Sequence, residues 1–240
     1  MSARSLLRAA VRNNAEWCDV FCCTHGISGE FRSDCWLSPM RTPAHYPDAV
    51  TLLPGVAVEQ VLSSIDASDG CSVKDSFACL ELAAAGFQPL LMAEWLVREP
   101  AGAPAGSDGG WSAVTTEEEL EEWEAGWAAP DAPRRSSFFR PELLSRHGVC
   151  LLAGYAGDRI VAGAVTSRSP AVVGLSNVFD NSGDPESAWA AAAAAATARW
   201  GDLPIVGYDS GGSLEAAHHS GFTSVGELIV WSKGSLSAEE

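Results

Sequence analysis

The chain has 240 residues, 47% of them hydrophobic, and carries a formal net charge of −16. That apolar share supplies a sizeable core and excludes a disordered chain, while the lack of any run of about 18 apolar residues excludes a membrane span. Lys74 and Lys233 are the only lysines, and no clustered basic stripe offers itself to phosphates, so nucleic acid is not an expected partner.

The N-terminal segment has arginines but no sustained apolar stretch, which points to a cytoplasmic protein. Seven cysteines, an odd number without a secretion signal, argue against a disulfide framework. Cys18, Cys22, His25 and Cys35 are the residues a metal would use, but no second Cys-x-x-Cys knuckle completes the spacing. Buried reduced thiols are expected there, and no metal.

In chain order, residues 6–24 have apolar positions at helical spacing, with Gly26 ending the pattern. Residues 27–47 contain three prolines and several aromatics and are expected to be a loop, either a binding wall or packing. "DAVTLLPG" (48–55) predicts a short buried strand. An amphipathic helix over 56–68, a strand at 71–76, a short helix ending at Gly86 and a strand over 88–100 follow. Residues 100–110, small and rich in Gly and Pro, are expected to link a domain of 1–99 to one of 111–240.

The second half opens with a helix capped by Thr115 or Thr116, with glutamates in its first turn. A hairpin turning at 156–158 and a strand, "AVVGLSNVF", come next. Asp184 before Pro185 fits the cap and first position of a long Ala-rich helix. A strand at 203–210, a short helix at 212–221 and a last strand at 223–231 complete the chain.

Two stretches share a phrase. In "DSFACLELAAAGFQPLLMAEWLV" and "DSGGSLEAAHHSGFTSVGELIVW", Asp75 matches Asp209, Ser76 matches Ser210, Leu80 matches Leu214 and Glu81 matches Glu215. Gly86-Phe87 then matches Gly221-Phe222. The glycine ends a helix in a left-handed turn and the Phe plugs the core as the chain reverses. Each phrase closes a strand, helix, strand, short helix, strand unit, and a repeat on this scale indicates duplication.

"SLEAAHHSGFTSVGELIVW", with the element order before it, resembles the C-terminal end of GNAT-superfamily N-acetyltransferases. The resemblance covers 111–233 well and 6–98 more weakly. It implies an α/β (α+β mixed sheet) architecture, a tandem GNAT-like acyl-CoA N-acyltransferase fold with a degenerate first copy. It further implies transfer of an acyl group from acetyl-CoA or another acyl-CoA to an amine of a small molecule or a protein. A catalytically inactive module that binds a metabolite or a protein partner is the alternative.

The family grips the CoA pyrophosphate with amides at a helix N-terminus, where unpaired N–H groups and the helix dipole attract an anion. The resemblance places CoA contacts at Val178, Phe179, Ser182 and Gly183, and at Gly55 in the first copy. Yet 180–186 carries Asp180, Asp184 and Glu186 and no arginine, and Pro185 lacks an N–H. An Asp184 cap would occupy amides that a phosphate needs. The family's tyrosine, four residues before Gly-Phe, is Ala217 here and Leu82 in the first copy. Tyr208, His218 and Ser210 are the substitutes for it. Asn177 and Ser176 fall on the strand that lines the family's acyl site, and Asp209 is a candidate base. Asp75 and Asp209 have helix capping as their other reading.

Overall fold

A computed structural model describes residues 1–100, 110–128 and 137–234. The linker expected at 100–110 therefore lies almost wholly outside the described residues. Two compact units are present: Met1–Trp95 with the chain from Val225 onward, and Leu96–Ser224.

The first unit begins with helix α1 (Ala3–Thr24), capped by the Ser2 hydroxyl accepting from Ser5 N. It buries Leu6, Ala10, Val11, Trp17, Cys18, Phe21 and Cys22, a helical stripe facing a sheet. The expected loop contains two short strands, β1 (Glu30–Phe31) and β2 (Cys35–Leu37), paired antiparallel to each other. Its aromatics are packing groups: Trp36 is fully buried and donates to Asp19 Oδ1, and Tyr46 stacks on Phe21 with centroids 3.7 Å apart. Gly29 has no room for a side chain, because the Trp36 indole lies where its Cβ would be.

Strand β3 (Ala49–Thr51) and strand β4 (Ser72–Asp75) pair in parallel, with Ala49 opposite Val73. The helix between them, α2 (Val58–Leu62), is a single turn rather than the longer helix expected over 56–68. After β4 the expected helix is reduced to a 3-10 turn at Ala83–Ala85. Asp75 supplies the reason: its carboxylate takes the Phe77 and Leu80 amides, and Ala78 turns left-handed at φ +50°, so helical pairing cannot begin. Strand β5 (Phe87–Arg98) follows. The last strand, β11 (Thr223–Lys233), pairs antiparallel with β4, Ile229 opposite Asp75. The strand order in this unit is β1-β2-β3-β4-β11-β5.

The second unit orders its strands β10-β9-β8-β7-β6. Strand β6 (Trp111–Ala113), not anticipated from the sequence, edges the hairpin of β7 (Val149–Ala156) and β8 (Arg159–Arg168). Helix α3 (Glu117–Trp127) starts at Thr116 with both halves of a capping box in place. Strand β9 (Val173–Asp180) leads into α4 (Pro185–Trp200), capped by Asp184 as expected. Strand β10 (Ile205–Asp209) is parallel to β9, and α5 (Gly211–His219) follows. Ala192, Ala193 and Ala196 of α4 pack on Val173, Leu175 and Ile205; small side chains let the helix sit close to the sheet.

The two phrases close with the same hydrogen bonds. Gly86 N reaches Ala83 O and Phe87 N reaches Leu82 O; Gly221 N reaches His218 O and Phe222 N reaches Ala217 O. Both glycines are left-handed, at φ +84° and +88°, and both phenylalanines are 2% exposed. This is the paired closure of a helix C-terminus by a left-handed residue.

Candidate functional site

In the second unit the β9–β10 ladder has only two partner pairs, Val173 with Ile205 and Gly174 with Val206. Gly207 then crosses so near the Leu175 carbonyl that a Cβ would lie 2.6 Å from its oxygen. A bulge follows on β9. Ser176 faces Val165 and Phe179 faces Gly163, so Asn177 and Val178 together oppose Ala164. Asn177 adopts φ +52°, the left-handed region that a short polar side chain tolerates best. Such a bulge bends its strand and ends regular pairing. Past the last β9–β10 pair, the bulged middle of β9 carries Ser176 and Asn177, and the C-terminal end of β10 carries Tyr208 and Asp209.

Asp209 is half-buried, and its carboxylate accepts from Ser210 N at 2.8 Å and Ser213 Oγ at 2.7 Å. Desolvation lifts its pKa above the ordinary aspartate range, against the lowering effect of those two hydrogen bonds. Asn177 Nδ2 donates to Ser176 Oγ. His218 stands apart from Asp209, near the far end of α5; it is exposed and bonded to Ser224 Oγ at 2.9 Å. Ala217, at the position where the sequence resemblance implies a tyrosine, is fully buried.

The α4 N-terminus is occupied by the chain itself. Asp180 accepts from three successive amides, Ser182 N at 3.0 Å, Gly183 N at 2.9 Å and Asp184 N at 2.7 Å, and also from the Ser182 hydroxyl. Asp184 takes Ser187 N and Ser187 Oγ. Amides that would meet a pyrophosphate therefore meet carboxylates, and a diphosphate does not fit this turn as it stands. Beside it lies an open cleft of about 190 Å³, lined by Trp111, Tyr155, Asp180, Ser182, Asp184 and Ser187 among others, with no Arg or Lys of the described residues in its walls. Phe179 is a packing residue, its ring 5.2 Å from the Trp123 ring and close over Gly163, and Val178 packs against the core of this unit.

The first unit differs at each matching point. Ser76 N donates to Thr51 Oγ1 across β3 and β4, Trp95 Nε1 donates to the Ser76 carbonyl, and Asp75 is fully buried. Gly55, left-handed at φ +79°, precedes a helix of one turn. Cys18 and Cys22 are buried in α1, and burial pushes both thiols up in pKa. Among the described residues, no three His, Cys, Asp or Glu side chains converge to hold a metal. No helix among them is long and apolar enough to cross a membrane.

Sequence reasoning missed Asp180 as the acceptor of the loop amides, and missed Ser213 and the Trp111–Tyr155 cleft. An Asp two residues before Ser182 is a local signal for the first. The other two depend on strands and helices meeting in space and leave no local trace.

No family model matches the chain, and no curated protein matches it. Solved structures do. A GCN5-related N-acetyltransferase from Kribbella flavida is similar with TM-score 0.64 and 17% identity, over 95% of this chain and 97% of that one. A putative acetyltransferase from the GNAT family of Novosphingobium aromaticivorans gives TM-score 0.56 and 16% identity, over 91% and 96%. A functionally unknown conserved protein from Staphylococcus epidermidis gives 0.59 and 10%, over 85% and 92%. At these identities the likeness establishes the fold: this chain has the GNAT mixed-sheet α+β fold.

Proposed function

We propose that the protein is a GNAT-type N-acyltransferase that moves an acyl group from an acyl-CoA thioester to an amine of a small molecule or a protein. The reacting ends meet where β9 and β10 part. The observation that carries this reading is Asp209, a half-buried carboxylate with raised proton affinity at the C-terminal end of β10, three residues past the last β9–β10 pair and held by Ser210 N and Ser213 Oγ. A desolvated carboxylate whose pKa is raised is a better proton acceptor from an ammonium than an ordinary aspartate. Asp209 accepts that proton, and the neutral amine attacks the thioester carbonyl carbon. The C–N bond forms and the C–S bond breaks. The nitrogen, cationic after attack, gives up its second proton, and the departing thiolate takes one. The Tyr208 hydroxyl is the candidate to hand its proton to sulfur and recover the one from nitrogen, while Asp209 returns the first to solvent.

The α4 turn contributes no grip on the diphosphate in this reading, because Asp180 and Asp184 fill it. The donor is held by its acyl and pantetheine end. An acetyl thioester of N-acetylcysteamine, which lacks the nucleotide, should then react with kcat/KM within about tenfold of acetyl-CoA, a difference of roughly 1.4 kcal/mol. Thiol release across a panel of amines is the assay. A truncated donor worse by several orders of magnitude would show that the diphosphate is gripped after all.

A second reading is favoured by the same filled turn: a non-catalytic module of this fold that binds a metabolite or a protein. It stands if no thioester releases thiol with any amine and acyl-CoA leaves the melting temperature unchanged.

A further inference from the structure

The two matched aspartates differ in what holds them. Asp75 is fully buried and accepts two backbone amides, Leu80 N at 2.7 Å and Phe77 N at 3.3 Å, with Cys79 Sγ at 3.9 Å. Asp209 has one backbone amide and one hydroxyl, that of Ser213. The same Ser213 oxygen accepts Trp189 Nε1 at 3.1 Å. An indole N–H can only donate, so Ser213 receives from Trp189 and turns its own proton to Asp209. Trp189 is itself fixed: it is 2% exposed and meets Phe222 edge-on with centroids 5.2 Å apart. Three elements, α4, α5 and β10, thus meet at one hydroxyl oxygen, that of Ser213.

We propose that Ser213 is the positioning residue of Asp209, and that the Trp189 indole fixes the direction of its hydroxyl, so that the carboxylate is kept ionised and aimed while half-buried. This rests on the reading of Asp209 as the base. A hydroxyl already accepting from an indole serves the ionised acceptor better than a protonated one. Each carboxylate oxygen keeps a second lone pair, so the group still has a place to receive a proton. The titratable groups on the flanking elements are Tyr208 on β10, Glu215, His218 and His219 on α5, Glu186 and Arg199 on α4, Asp180 on β9 and Arg98 on the part of β5 in this unit. None of their charges contributes to the elevation of Asp209, which is desolvation opposed by the Ser213 and Ser210 hydrogen bonds.

The test is a carboxyl ¹³C NMR titration of the full chain, with Asp209→Asn assigning the resonance. Ser213→Ala should raise the Asp209 midpoint by about one pH unit, the loss expected for a hydrogen bond to a charged group. Ser213→Thr should restore it, and Trp189→Phe should give a smaller rise in the same direction. An unchanged midpoint in both Ser213→Ala and Trp189→Phe, with the near-UV circular dichroism of the wild type retained, would overturn the proposal. Thioester turnover is read separately. The acid limb of kcat/KM should move with the midpoint in Ser213→Ala. A midpoint that moves while wild-type protein turns over no thioester supports the hydrogen-bond relay and removes the base reading instead.

Discussion

The two matched aspartates allow one perturbation to be made twice in the same chain with opposite expected results. In Asp75→Ala, the Leu80 amide and the Phe77 amide lose their acceptor. Leu80 is only 4% exposed, so water does not readily replace the carboxylate there. A stranded buried donor costs about 1–3 kcal/mol, and two cost about 4 kcal/mol at mid-range. Relief of the desolvated carboxylate returns part of this and leaves a loss of about 3 kcal/mol, or roughly 10 °C in melting temperature for a chain of this size.

Asp209→Asn removes a charge that is held at a cost. Its pKa is raised on folding, so the unfolded chain ionises first as pH rises. The penalty is absent below the unfolded value of about 3.9, grows between the unfolded and folded values, and is complete above the folded one. The Asn variant should therefore match or exceed the wild type in stability near pH 7, with the advantage gone near pH 3. Thermal unfolding by far-UV circular dichroism at both pH values reads each effect, with Asp75→Asn as a milder variant if Asp75→Ala does not fold. Equal destabilisation by the Asp75 and Asp209 substitutions at pH 7 would refute the division into a structural and a functional aspartate.

Exchanging Asp180 and Asp184 together for Asn removes two carboxylates from the α4 turn, and CoA should then raise the melting temperature more than it does in the wild type. No gain would mean that these carboxylates are not the obstacle to diphosphate binding. Gly163→Ala drives a methyl into the Trp123 and Phe179 rings and should cost about 1–3 kcal/mol in urea unfolding; a neutral result would mean that α3 shifts freely on the sheet. Desolvation raises Cys35 and Cys71 to about 11, which leaves almost no thiolate at pH 8, whereas Cys79 is exposed. Cys79 should react first with Ellman's reagent in native protein, and labelling of Cys35 or Cys71 at a similar rate would contradict the burial.

The fold and the candidate site depend on features of very different range in the chain. The threonine cap and acidic first turn of α3, the Asp184–Pro185 start of α4, the hairpin turn at Gly157 and the two Gly-Phe closures were legible in the sequence alone. Each is a set of hydrogen bonds between residues no more than about five apart, so the local string of donors, acceptors and permitted φ values decides it. The acidic turn at 180–186 was legible for the same reason, although Asp180 rather than Asp184 takes most of its amides.

Other features were decided only by tertiary structure. Local signals favoured helix over 77–86, but the buried Asp75 carboxylate claimed the Phe77 and Leu80 amides first. The pairing of β11 with β4 joins Ile229 to Asp75, and burial of both strand faces rather than neighbouring sequence selects it. The bulge at Asn177 arises from the mismatch between β9 and β8, and the Trp189–Ser213–Asp209 relay from three elements meeting at one oxygen. Contacts between residues far apart in sequence are settled by which apolar faces must leave water together, and no short window of sequence records that choice.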